Sequence, residues 1–273
     1  MDSVFDKIIA DAANTAKQAN AADGDYIGEN GLLYCAHCNT PKQTRVTIAG
    51  RERTFYCLCR CAEEKEELRR KLDECEEREN RRKACFGIRR EMYTWTFASA
   101  DVPYSPIIAT AKEYADTFKK HYDNGGDGLL LFGQIGRGKS FAAACIANKL
   151  IDDGYRVKFA NASDVVATVS SIRYDRAALL KSLNDCHLLI IDDLGADRKS
   201  GFACDVIYAL VESRYCSGLP VVVTANMTAQ EIKYPKDIEI QRIISRLYKM
   251  TVPVECDGKD LRREDLRKRL TEK

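Results

Sequence analysis

The segment GLLLFGQIGRGKSFAAACIANKL, residues 128–150, constrains the fold of this chain more than any other stretch. An apolar run, a glycine-bearing loop and an alanine-rich helical stretch follow one another around GQIGRGKS, residues 133–140. Gly133, Gly136 and Gly138 allow backbone amides to turn onto an anion where a side chain would block the approach. Lys139 brings a point charge to the β- and γ-phosphates of a nucleotide, and Ser140 brings a hydroxyl for magnesium. Phe141 continues into the first turn of the following helix, whose N-terminus faces the phosphates. The motif therefore predicts an ATP and Mg2+ site on a strand–loop–helix unit.

The rest of the chain agrees with such a unit. Short apolar runs at 129–132, 155–159, 187–192, 220–224 and 251–254 alternate with helical stretches, which predicts an α/β fold with a mostly parallel sheet flanked by helices. At 273 residues, 45% of them hydrophobic, the chain has room for one ordinary domain and a smaller one, and enough apolar matter for a core. The 43 basic and 41 acidic residues nearly cancel, so the net charge of +2 excludes little. No apolar run approaches the roughly 18 residues of a membrane span. The opening MDSVFDKIIADAANTAKQ has acids and no cleavable apolar stretch, so it reads as a short amphipathic helix carrying Val4, Ile8 and Ile9. The expectation is a cytoplasmic protein with no membrane partner.

CHLLIIDDLG supplies the second half of a nucleotide site. Four apolar residues make a buried strand, and two acids stand at its C-terminal end, where open α/β sheets place their ligands. Asp192 is the expected magnesium acid, and Asp193 the expected base orienting the attacking water. A further strand, LPVVVTAN, ends in Thr224 and Asn226. Asn226 there either senses the γ-phosphate through water or stabilises the turn before Met227.

Of the twelve cysteines, five crowd together as Cys35-x2-Cys38 and Cys57-x-Cys59-x-Cys61. Zn2+ takes four thiolates in a tetrahedron, and a Cys-x2-Cys turn presents two of them. Four of these five are expected to hold zinc; because alternate residues of a strand face the same way, Cys57, Cys59 and Cys61 cannot be equivalent. His37 points away from the metal in most such turns. Cys75, Cys85, Cys145, Cys186, Cys204, Cys216 and Cys256 read as reduced, small core hydrophobes. Within the cluster, RVTIAGRERTFYC reads as a hairpin turning at AGRE. Lys42, Arg45, Arg51, Arg53 and Arg60 lie near Tyr34, Phe55 and Tyr56, a surface for nucleic acid or for a docked protein. AEEKEELRRKLDECEERENRRKA, residues 62–84, is a charged helix with too few apolar positions for a buried seam, bridging domains through solvent. The expected organisation is residues 1–61 as N-terminal helix and zinc-binding module, 62–90 as linker helix and 91–273 as ATPase domain. Within that domain, SSIRYDRAALLKSL offers Arg173, Tyr174 and Arg176, charges beside a stacking ring, to single-stranded DNA.

Taken together, GxxxxGKS, IIDDLGA, the Arg214-Tyr215 pair before LPVVVTAN, QRIISRL and TFASADVPYSPIIATAKEYADTF resemble the AAA+ ATPases of the DnaC-like helicase-loader group. That group includes IstB-like ATP-binding helpers of transposases, and the resemblance runs from about residue 94 to about residue 262. It implies an AAA+ core that binds magnesium ATP, self-associates in the ATP state, and meets single-stranded DNA and a replicative hexameric helicase. It makes Asn226 sensor 1, and it makes Arg246 an arginine finger reaching a neighbouring subunit's ATP, with Arg242 as companion. From the residues alone, Arg242 and Arg246 are a solvated helix face. Two features depart from the pattern: the acid pair is Asp-Asp rather than Asp-Glu, and about eighteen residues after the last strand leave no space for a C-terminal helical lid. Arg262 matches a late arginine only loosely. The reading is an ATP-dependent helicase loader; the alternatives are a transposition helper ATPase and a zinc-dependent adaptor in which ATP is structural.

Overall fold

The protein is seen here in a computed structural model that describes residues 22–100, 105–171, 176–195 and 201–257. The expected N-terminal helix, Arg173, Tyr174, Arg262 and the stretch where a lid was expected to be missing lie outside the described residues. The chain divides into two compact units at Glu76/Glu77.

The first unit holds two short antiparallel sheets. β1 (Tyr26–Ile27) pairs with β2 (Leu33–Tyr34), and β3 (Gln43–Ile48) pairs with β4 (Arg51–Tyr56). The β3–β4 hairpin turns at Ala49 and Gly50, both at positive φ (51° and 76°), the geometry a two-residue hairpin loop demands. Among the described residues up to Glu76, the buried ones are Cys35, Lys42 and Cys59, so the described part of this unit has scarcely any hydrophobic core. Helix α1 (Arg60–Phe86) starts in this unit. Its exposed length carries i,i+4 ion pairs such as Lys71–Glu67 at 2.6 Å and Lys83–Glu79 at 3.0 Å, and its buried residues are Cys85 and Phe86 at the end. Such pairs contribute only a few tenths of a kcal/mol each, about 0.3–0.5.

In the second unit, β5 (Gly128–Phe132), β6 (Val157–Asn161), β7 (Leu188–Leu194), β8 (Val221–Ala225) and β9 (Thr251–Glu255) form one parallel sheet in the order β6-β7-β8-β5-β9. α2 (Pro106–Asp116), α3 (Phe118–Asp123) and α4 (Lys139–Asp152) precede or follow β5. α5 (Ala162–Ser171) and α6 (Arg176–Asn184) connect β6 to β7, α7 (Gly201–Cys216) leads to β8, and α8 (Ala229–Lys233) and α9 (Ile238–Met250) lead to β9. Period-two burial divides the core. Leu129, Leu131, Leu188, Ile190 and Val222 pack with α2 and α4, whereas Leu130, Leu189, Ile191, Val221 and Val223 pack with α7 and α9. All five strands fall where the apolar runs place them. β8 lies between β5 and β7 in the sheet, so the C-terminal ends of these three parallel strands lie side by side.

Two cysteines differ from the sequence reading. Cys75 and Cys216 are exposed rather than core residues, because one lies on the solvent-facing length of α1 and the other is the last residue of α7. Cys85, Cys145, Cys186, Cys204 and Cys256 are buried, and burial pushes the Cys145 and Cys256 thiols up to about 12. Arg214 is fully buried, where it donates to the carbonyls of Asn184, Cys186, His187 and Pro220 and ties the starts of β7 and β8 together. Among the described residues, no helix is long and apolar enough to cross a membrane.

Candidate nucleotide site and metal centre

β5 delivers the phosphate loop at its C-terminal end. Gly133 sits at φ 142°, and a Cβ there would meet the Cys256 carbonyl at 2.6 Å, so the loop can turn at this point only with glycine. Gly138, at φ 79°, is the left-handed residue that opens α4; Gly136 lies between them. Lys139 is buried to 6% exposure and donates to the carbonyls of Gly133 at 2.9 Å and Gln134 at 2.7 Å. A lysine folded back onto its own loop is poised to exchange these carbonyls for phosphate oxygens.

The acids arrive on β7. Ser140 Oγ donates to Asp192 Oδ1 at 2.8 Å, which brings the two expected magnesium groups together across 52 residues of sequence. Thr224, on β8, donates to the same oxygen at 2.6 Å. Asp193 lies at φ 62°, and Asn226 Nδ2 donates to its Oδ1 in a very short contact. The strand ends thus place Ser140, Asp192, Asp193, Thr224 and Asn226 around one cleft of about 670 Å³. A hydroxyl and a carboxylate already sharing a hydrogen bond fit the oxygen-ligand demands of Mg2+, so Ser140 and Asp192 would hold it. Bound there, the ion would neutralise phosphate charge.

The far end of the cleft is apolar, a feature the motifs do not contain. Trp95, Ile107, Ile108 and Phe141 line it, and the Trp95 and Phe141 rings lie 5.5 Å apart. Asn148 makes this wall possible: it sits at 1% exposure on the inner side of α4 and donates to the carbonyls of Met92 and Trp95, each at 2.8 Å. The sequence signal was one amide in an otherwise alanine-rich apolar helix, together with the single tryptophan.

Arg242 and Arg246 do not line this cleft. On α9, the Arg242 guanidinium stacks on Tyr208 at 4.4 Å and Arg246 lies 5.0 Å over Tyr215. Arg246 also pairs with Glu212 at 2.6 Å. Arg176 opens α6.

The first unit holds a second constellation. The sulfurs of Cys35, Cys38, Cys59 and Cys61 all lie within 4.8 Å of one another, with Cys35–Cys61 at 3.7 Å and Cys59–Cys61 at 3.5 Å. A tetrahedral zinc–thiolate site, with bonds of about 2.3 Å, has sulfur–sulfur edges of about 3.8 Å. Cys57 stands apart from this group, its thiol directed at the Pro41 carbonyl at 3.6 Å. At two of the four sulfurs the surroundings favour the thiolate form that metals take. Backbone amides of Cys38 and His37 lower the pKa of Cys35, and the Thr40 hydroxyl first among several donors holds Cys38 down to about 5. Cys61, crowded by Cys59 first and then Cys38, is pushed up to about 12. Behind the cluster, Lys42 and Asp25 form an ion pair at 2.5 Å, and Asp25 accepts from the amide of Ala36 inside the Cys35–Cys38 turn. The donor set fits zinc.

With this geometry in hand, comparison with known proteins is informative. The family model described as IstB-like ATP binding protein matches residues 70–268. The replicative helicase loader DnaI of Bacillus subtilis is 24% identical over 208 residues, covering 71% of this chain and 67% of the loader. A putative insertion sequence ATP-binding protein of Sinorhizobium fredii is 33% identical over 124 residues, covering 44% of this chain and 41% of that protein. A crystal structure of DnaI superposes with a TM-score of 0.54 at 23% identity, over 64% of this chain and 94% of that one, a likeness that establishes the fold. The fold is thereby that of an AAA+ P-loop core.

Proposed function

The chain belongs to the IstB-like ATP binding protein family, and from that premise we propose that it is an ATP-hydrolysing loader that delivers a replicative DNA helicase onto single-stranded DNA. The observation that carries this reading is the breadth of the match to a named helicase loader, 71% of the chain against 44% for the insertion-sequence protein. In this reading Lys139 and the loop amides hold the phosphates, Asp193 orients the attacking water, and Asn226 fixes the Asp193 carboxylate. Arg246 completes the site of a neighbouring subunit in an ATP-dependent assembly, for which it must leave Glu212 and Tyr215. The cysteine module, with zinc on Cys35, Cys38, Cys59 and Cys61, serves partner choice ahead of an ATPase domain at 91–273. That domain holds single-stranded DNA through Arg173, Tyr174 and Arg176.

Loading is measured directly as ATP-dependent transfer of the host's replicative helicase onto circular single-stranded DNA. The expected result is helicase recovered on DNA only with this protein and ATP together, and lost with Lys139→Ala, which should keep its melting temperature while binding no ATP analogue. The 33% identity to an insertion-sequence protein supports a second reading, a transposition helper. Capture of a transposase, with no capture of helicase in the same pull-down, would replace the first reading by the second.

A further inference from the structure

Thr224 is a hydroxyl buried to 1% exposure in the central strand β8, between the fully buried Val223 and Ala225, at the wall of the nucleotide cleft. Valine would fill the same space, so packing does not account for it; a buried hydroxyl needs polar partners to offset its desolvation. Thr224 has one on each side. Its oxygen accepts from the backbone N–H of Asp193 at 2.9 Å, and its proton goes to Asp192 Oδ1 at 2.6 Å.

The first of these bonds answers a defect in the sheet. Ile191 pairs with Val223 and Leu194 with Ala225, so β7 uses three steps where β8 uses two. The extra residue makes a bulge, which leaves an amide without a ladder partner. It also puts Asp193 at φ 62°, a left-handed conformation unfavourable for an L-residue. The Thr224 oxygen takes the orphaned amide, and Asn226 takes the Asp193 carboxylate from the far side. The second bond concerns Asp192, whose Oδ1 accepts from both Ser140 and Thr224. Ser140 would keep this bond while offering a lone pair to a magnesium ion, so Asp192 would be aimed by two hydroxyls, of which Thr224 is the one outside the metal's ligand set.

We propose that Thr224 is a positioning residue for both acids: one hydroxyl aims Asp192 at the magnesium position and pins the bulge that aims Asp193 at the water. This rests on the nucleotide-hydrolysing reading above and assigns Thr224 a role exerted through the two acids it bonds.

The test compares wild type, Thr224→Val, Thr224→Ala and Thr224→Ser as full-length protein. Affinity for a fluorescent ATP analogue is measured with and without magnesium, alongside steady-state turnover in the presence of single-stranded DNA. Losing a buried hydrogen bond to a charged group corresponds to about a 10- to 100-fold effect. Thr224→Val should therefore lower kcat by about that factor, with KM changed no more than about threefold. Its magnesium-free affinity should equal that of wild type, while the gain in affinity on adding magnesium should shrink. Thr224→Ser, which keeps both hydrogen bonds, should restore both. Where wild type binds but does not turn over, the magnesium-dependent gain decides alone. A folded Thr224→Val with wild-type turnover and magnesium response overturns the proposal, as does Thr224→Ser failing as badly as Thr224→Val. Loss of fold in both Thr224→Val and Thr224→Ala assigns the hydroxyl to stability and overturns it as well. A wild type that binds no analogue removes the nucleotide reading itself, a distinct result.

Discussion

The two halves of this molecule solve the problem of holding polar groups in place by opposite means. In the nucleotide cleft, the polar groups hang from the ends of strands whose aliphatic residues are almost completely buried: Leu130, Leu131, Ile190, Ile191, Val222 and Val223 are each 0% exposed. Their positions are therefore set by a close-packed interior, and the hydrogen bonds among Ser140, Asp192, Thr224 and Asp193 only refine them. In the cysteine module, β3 is exposed over nearly all its length, and the buried residues among those described are two of the four sulfur ligands, Cys35 and Cys59, and Lys42. Among the described residues of this unit, no large apolar side chain is buried with the cluster. A small unit without a core needs a metal or a crosslink to be stable. The cleft's acids are thus carried by packed strands, whereas the module's sulfurs come from the turn at Cys35–Cys38, the segment after β4 and the first turn of α1, and are gathered by ligand chemistry.

That contrast can be broken. The largest effect should come from metal removal, since structural zinc supplies about 10 kcal/mol or more of folding free energy to small modules. On treatment with a strong chelator, the amides of β3 and β4 should lose hydrogen-exchange protection while β5, β7 and β8 keep theirs. Protection of the hairpin in metal-free protein would show that the module stands without its ligand. Acidification should act in the same direction, because each thiolate that takes a proton is lost to the metal. The next effect belongs to the core. Arg214→Lys leaves a single ammonium to serve the carbonyls of Asn184, Cys186, His187 and Pro220, and should cost about 2–4 kcal/mol. Thermal unfolding should show the loss, with zinc content unchanged; a drop in zinc would mean that the two units are not independent.

Smaller again is Asn148→Ala, which leaves the Met92 and Trp95 carbonyls without their donor at a cost of about 1–3 kcal/mol. Affinity for an ATP analogue should fall as well, because the Trp95 wall loses its anchor. Loss of stability with unaltered affinity would remove Trp95 from the site. The smallest effect is expected from Cys57→Ser. Elemental analysis should find the same zinc per chain as in wild type, against none in Cys59→Ser, because Cys57 lies outside the group of four sulfurs. Equal zinc loss in both would bring Cys57 into the ligand set.

Much of this was legible in the chain because certain functions need one residue type at one spacing. GQIGRGKS can only be a loop with φ values closed to other residues, and Cys35-x2-Cys38 can only bring two sulfurs together through a tight turn. Contiguous motifs carry their geometry with them. The alternation of apolar runs gave the strands in the same way, since period and burial are properties of neighbours in sequence.

What sequence left open were relations between segments distant along the chain. That Asn226 faces Asp193 across 33 residues, that Asn148 anchors Met92 and Trp95, and that Cys59 and Cys61 join Cys35 and Cys38 while Cys57 does not all depend on which strand lies beside which. Thr224 is the sharpest case. In LPVVVTAN it reads only as a polar residue at the end of a strand, and its value comes from a bulge on a different strand that offers it an amide and a carboxylate at once. The chemistry of each group was written locally; its partner was not, because register and strand order are set by packing of the whole sheet rather than by the residues that profit from it.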